Sequence, residues 1–104
     1  DALRDWANRA DYTNWRDDPI GKISGVGLIT FQYLRMQAGV DTTMPDRIVK
    51  RAAERDFKVA GRDDIDFIKV MERFSKETGI SQIRLCLAIW LKESNVRGLD
   101  WEEI

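Results

Sequence analysis

Ile23-Ser-Gly-Val-Gly-Leu-Ile-Thr-Phe-Gln-Tyr-Leu-Arg-Met36 sets two glycines one residue apart, directly ahead of a run of good helix formers. A glycine costs roughly 1 kcal/mol against alanine inside a helix, so the pair predicts a break between two helices. Downstream, Gly27 opens a helix carrying Ile29, Tyr33, Leu34 and Met36 on its apolar face, and Gly39 closes it as a left-handed cap. Upstream, Asp18-Pro19 is an N-cap followed by a first-turn proline, which predicts a short helix from about Pro19 to Ile23, stopped by Ser24-Gly25.

Leu3, Trp6, Ala7 and Ala10 recur at helical spacing and predict a first helix before Asp11. Pro45-Asp46 starts a helix that runs to Asp56 or Phe57. Asp63 or Asp64 caps another, bearing Ile65, Ile68, Met71 and Phe74 and ending at Gly79; Ser81 caps a last one, QIRLCLAIWLKES, apolar over more than half its circumference and hence the most buried. No stretch alternates with strand periodicity. The expectation is all-α: a compact array of about six helices in a single domain spanning 1–104, with a helical hairpin over about 19–38.

Composition narrows the chemistry. The 104 residues suffice for one core, and no apolar run approaches the roughly 20 residues of a membrane span. No basic and apolar leader precedes the first helix, and the single cysteine, Cys86, lies in an apolar run, so an intracellular protein is expected. The chain contains no histidine, which removes Ser-His and Cys-His nucleophiles and most zinc sites. One cysteine cannot hold a four-cysteine iron–sulfur cluster within these residues. Net charge is -1, yet residues 46–62 set Arg47, Lys50, Arg51, Arg55, Lys58 and Arg62 against only Asp46, Glu54 and Asp56, a local basic concentration.

A helix that starts at a Gly-Val-Gly turn presents free backbone N–H groups, and glycines let another backbone approach them. Together these features suit a phosphate. The third glycine of a dinucleotide fingerprint and the Gly-Lys-Ser/Thr of a phosphate loop are both missing.

The stretch IGKISGVGLITFQYL resembles the helix-hairpin-helix motif: an apolar residue, a spacer, Gly-apolar-Gly, then a small or hydroxyl residue, here Ile23, Ser24, Gly25-Val26-Gly27 and Thr30. The resemblance implies a hairpin that grips the backbone of double-stranded DNA largely without reading sequence, with a monovalent cation, Na+ or K+, on the carbonyls of Gly21, Ile23 and Val26. The likeness continues into helix-hairpin-helix DNA glycosylases similar to endonuclease III, through Gly39-Val40, Met44-Pro45-Asp46 and Val49-Lys50-Arg51. It implies base-excision repair, with Asp46 as the catalytic carboxylate for N-glycosidic bond hydrolysis; from the cysteine count, no iron–sulfur cluster and no cofactor beyond the hairpin cation are expected. Chemically, a carboxylate beside the anomeric carbon can stabilise the positive charge that develops on the sugar, and a hairpin holding the backbone supplies positioning while the base leaves the stack.

Two departures qualify the likeness. The Schiff-base lysine of bifunctional members is Ile29 here, so a monofunctional route is implied, and Arg47 replaces the hydroxyl residue common after the aspartate. Complete members carry several helices ahead of the hairpin, whereas here only Leu3 to Asp11 is available. The chain is therefore expected to be part of a larger glycosylase-like domain and inactive alone. Lys22, Arg47, Lys50 and Arg51 are the expected supplementary backbone contacts.

Blander readings stand beside these. Asp46 serves equally as an N-cap, Thr30 as a packing residue where the hairpin helices cross, and Tyr33 as part of the apolar face. Asp17-Asp18 and Asp63-Asp64 read as caps rather than metal ligands. Of Trp6, Trp15, Trp90 and Trp101, only Trp15, beside the hairpin, is left for a surface role such as base stacking. The alternative functions are a non-catalytic helix-hairpin-helix module, which binds DNA or tethers a partner, and a helical protein-interaction domain whose Gly-Val-Gly is only a turn.

Overall fold

Asp1 opens the first helix, α1 (Ala2–Arg9), by accepting from the backbone N–H groups of Leu3 at 2.9 Å and Arg4 at 3.4 Å. The computed structural model describes residues 1–97, with side chains through Glu93; Trp101 lies outside the described residues. After α1 come a 3-10 helix (Tyr12–Asp17), α2 (Leu28–Gln37), α3 (Arg47–Phe57), α4 (Asp64–Thr78) and α5 (Gln82–Arg97). The described chain is all-α, with six helical elements and no strand among the described residues. No helix among them is long and apolar enough to cross a membrane.

Helices α3 and α5 pack together, and α4 also lies against α5. Between them Val49, Ala52 and Ala53 meet Leu85, Cys86 and Ile89, closed by Val59, Phe67 and Met71. Large side chains such as Phe67 and Met71 each gain about 1.5–3 kcal/mol from burial, which makes this cluster the main source of cohesion. A second, aromatic cluster joins α1, the 3-10 helix and α2. There the Trp6 ring stands edge-on to Phe31 with centroids 5.4 Å apart, and Trp15 lies tilted against the same ring at 6.5 Å.

Four expectations are corrected. Over Pro19–Ile23 the chain forms turns, not a helix; the helical element lies earlier, at Tyr12–Asp17. Asp18 does cap the segment, its carboxylate accepting from Ile20 N–H (2.8 Å) and from the Trp6 indole N–H (2.8 Å), but the one α-type bond, Lys22 N–H to the Asp18 carbonyl at 2.9 Å, is followed by the tighter Ile23 N–H to Ile20 carbonyl bond at 3.1 Å, and the chain turns away. Helix α2 buries Phe31, Gln32 and Arg35, while Ile29 and Tyr33, assigned above to its apolar face, stand 43% and 48% exposed. Helix α5 buries Leu85, Cys86 and Ile89 but exposes Leu87 and Leu91, so it is less enclosed than its composition predicts. Leu3 of α1 is exposed too.

Candidate nucleic-acid interface

Four of the five α-helices begin with a side chain that accepts from their free N–H groups. Asp1 does so for α1, Asp46 for α3 (from Val49, 2.8 Å) and Asp63 for α4 (from Asp66, 2.8 Å). At α5, Ser81 accepts from Arg84, and Asp41 reaches across from the loop between α2 and α3 to accept from Gln82 and Ile83. Helix α2 is different. Its N-cap is Gly27, which has no side chain to offer, and the N–H groups of Leu28, Ile29 and Thr30 find no acceptor among the described residues. Only at Phe31 does the ladder begin, with its N–H on the Gly27 carbonyl at 2.9 Å. Unsatisfied amides at a helix start carry partial positive charge and suit an anion.

The residues of the hairpin have distinct reasons for being what they are. Gly25 sits at φ +90, a conformation unfavourable for any side chain, and the turn is pinned by the Val26 N–H donating to the Ile23 carbonyl at 3.0 Å. Gly21 is buried, and a Cβ there would lie 1.7 Å from the Trp15 carbonyl oxygen. Gly27 is under neither constraint, since its φ is -102 and a Cβ would meet nothing within 4 Å. Internal packing requires glycine at 21, turn geometry requires it at 25, and neither requires it at 27.

The carbonyls named for a monovalent cation are not equivalent. That of Ile23 already accepts the turn bond, whereas those of Gly21 and Val26 have no donor among the described residues. No group of three or more His, Cys, Asp or Glu side chains that could hold a metal ion occurs among the described residues.

The start of α2 opens into a cleft of about 1000 Å³ formed by Thr13 to Asp17 of the 3-10 helix, Gly27 to Thr30, and Asp63 to Ile65 at the start of α4. Thr30 is exposed on its wall, not buried at a helix crossing as expected. Trp15 is half-buried, with the Arg16 guanidinium 5.3 Å above its ring. A second groove, of about 470 Å³, adjoins at Asp63 and Asp64, which line both. Arg47, Lys50, Arg51 and Arg62 line it, so three of the four basic residues expected to touch DNA share one wall. Lys22 is exposed on the hairpin and lines neither cleft. Lys50 is engaged, its ammonium 2.6 Å from Asp64. Arg62, counted above in the basic concentration but not as a contact, lines the same groove; it follows an irregular segment in which no periodicity places its side chain.

Asp46 lines neither cleft. One carboxylate oxygen accepts from Val49 N–H at 2.8 Å and the other from the Trp90 indole N–H at 3.2 Å, so it caps α3 and ties that helix to α5. Trp90 packs at the edge of the core, as expected.

No family model matches the chain, and neither does any curated protein or solved structure. The likeness to helix-hairpin-helix glycosylases rests on the residues that carry it.

Proposed function

We propose that this protein holds the backbone of double-stranded DNA at its Gly25-Val26-Gly27 hairpin, with the first-turn amides of α2 donating to a phosphate oxygen and with little dependence on base sequence. The observation that carries the reading is the contrast among helix starts: α2 alone among the described α-helices lacks a capping side chain, and the residue there, Gly27, is glycine without an internal reason. A phosphate supplies the missing acceptor, and Lys22, exposed on the same hairpin, adds a screened attraction.

The test is fluorescence anisotropy of a labelled duplex against wild type and Gly27→Glu, each at two salt concentrations. The glutamate would fill the approach and present a charge of the same sign as phosphate. Salt-sensitive binding that disappears in the variant supports the reading, and equal binding by both proteins refutes it.

Base excision is the second reading, and it concerns the protein of which this chain would form part. What favours it is the way Asp46 is held: two donors from different helices fix the direction of its carboxylate, the kind of preorganisation that stabilising an oxocarbenium-like charge requires. With Ile29 at the lysine position, release of base without strand cleavage is the expected outcome. Asn caps a helix about as well as Asp and gives up only the bond from the Trp90 indole, so Asp46→Asn should keep the fold while abolishing base release. If that variant retains full activity, Asp46 is a cap and nothing more.

A further inference from the structure

The hairpin accounts for one backbone contact, and a single phosphate grip leaves the orientation of a duplex undetermined. The second groove offers the complement. Arg47 and Arg51 stand four residues apart on α3, which places them on one face about 6 Å apart along the axis. Both are exposed, and neither forms an ion pair among the described residues. Across the groove Arg62 has a side chain 90% exposed, held only by a 3.6 Å contact with Asp66. Its position comes from its backbone, whose N–H donates to the Asp66 carboxylate at 2.8 Å. Three guanidinium groups with uncommitted donors thus line one open groove against the single α3 carboxylate there, Glu54, and planar guanidinium forks match phosphate oxygens.

Between this groove and the hairpin cleft lies the ridge of Asp63 and Asp64. Two carboxylates there would repel a phosphate chain passing over them. Asp64 is offset by the Lys50 ammonium, and Asp63 has one oxygen committed to the Asp66 N–H. Lys50, expected to touch DNA, instead reduces the negative charge of the divide.

We infer that Arg47, Arg51 and Arg62 form a second phosphate-contact site, so that one duplex lies across both clefts with its backbone held at the α2 start and again on α3. This inference rests on the proposed function of the hairpin and extends it from a point contact to a track. The arginines act as phosphate ligands, and Lys50 acts by offsetting the charge of Asp64 between the two clefts.

The experiment is a salt titration of duplex binding by the full chain between about 50 and 200 mM, comparing wild type with R47Q/R51Q/R62Q and with a control, R4Q/R84Q, whose exposed arginines line neither cleft. Each lost phosphate contact should flatten the plot of log K against log salt by about 0.9. The triple variant is therefore expected to lose about 2 to 3 in slope and at least about tenfold in affinity at the lower salt. The control should keep the wild-type slope to within about one contact. Circular dichroism establishes that each variant is folded.

If wild type binds and Gly27→Glu does not, while the triple variant keeps the wild-type slope, the second site is wrong and the hairpin stands. An equal loss in the control reduces the effect to general charge and likewise overturns the site. If poly-glutamate binds as tightly as the duplex, with the same dependence on the three arginines, the groove serves an acidic protein and the inference is overturned. No duplex binding by folded wild type overturns both this inference and the hairpin reading beneath it.

Discussion

Alanine substitution at Gly21, Gly25 and Gly27 should give three different results from one short stretch. At Gly21 the new Cβ would lie 1.7 Å from a backbone oxygen, that of Trp15, with the carbonyl carbon at 2.8 Å. No side-chain rotation relieves such an overlap, so the chain must shift, and the cost should reach about 3 kcal/mol or more. At Gly25 there is open space but φ is +90, and holding an L-residue in the left-handed region costs about 1–2 kcal/mol. At Gly27 both the space and the φ of -102 suit alanine, leaving only the weaker N-cap preference, about 0.5 kcal/mol. For a domain of this size 1 kcal/mol moves Tm by roughly 4–8 °C. Thermal and urea melts should therefore rank the variants Gly27, Gly25, Gly21 in increasing damage. Duplex binding should reverse the inference drawn from stability, because Gly27→Ala folds nearly as well as wild type and yet crowds the phosphate. If Gly27→Ala destabilises as much as Gly25→Ala, glycine at 27 has a folding role and the argument from its freedom collapses. If Gly27→Ala leaves both stability and binding untouched, the phosphate is not where the amides of α2 point.

Three further outcomes follow from particular contacts. Asp46→Ala removes a cap and the acceptor of the Trp90 indole, so urea melts should show a loss of about 1–2 kcal/mol; a loss near zero would mean that neither bond matters. Arg35→Met strips the guanidinium from the Ala7 carbonyl (3.1 Å) and from the Gln32 side-chain oxygen (2.9 Å) in a buried setting, which should cost about 2–4 kcal/mol, and Gln32→Leu in the same background should add less than it costs alone. Burial pushes the Cys86 thiol from its ordinary 9.0 up to about 11; its contribution is fully present below pH 9 and is lost as pH rises toward 11, where the unfolded chain is ionised and the folded one is not. Wild type should therefore lose more stability than Cys86→Ala across that interval, and native Cys86 should resist alkylation until urea unfolds the chain.

The five α-helices were legible because their signals are local, although Asp18-Pro19, a signal of the same kind, announces a helix that the chain does not form. Asp46, Asp63 and Ser81 announce caps, and Gly39 and Gly79 mark the ends at which the chain turns left-handed. The face of α2 was not legible, because Gln32 and Arg35 look like solvent residues and Ile29 and Tyr33 look like core, while the reverse holds. What inverts the pattern is a set of long-range bonds that no periodicity encodes: Gln32 donates to Thr42 (2.7 Å) and to the Thr43 carbonyl (2.9 Å), and Thr43 donates to Gln82 of α5 (2.7 Å). The site divides in the same way. The turn at Gly25 could be read from residue type, whereas the partnership of Lys50 with Asp64 and the arrival of Arg62 beside α3 depend on how α4 docks.

That inverted helix also bears on how the hairpin could work. A grip on phosphate is only as definite as the support behind its donors, and α2 is supported by directional bonds rather than by apolar contact alone. Arg35 ties it to α1 through the Ala7 carbonyl, and Gln32 ties it to the Thr42-Thr43 loop, from which Thr43 reaches α5. Hydrogen bonds fix both rotation and register, whereas apolar packing tolerates small slides of one helix past another. Held on two sides through Gln32 and Arg35, α2 keeps its course although its first turn is uncapped, and the Phe31 ring, in contact with both Trp6 and Trp15, steadies the near end. The polar residues buried on α2 and the unsatisfied amides at its start are then two parts of one arrangement: the network gives the helix a fixed direction, and its first turn lies along the cleft.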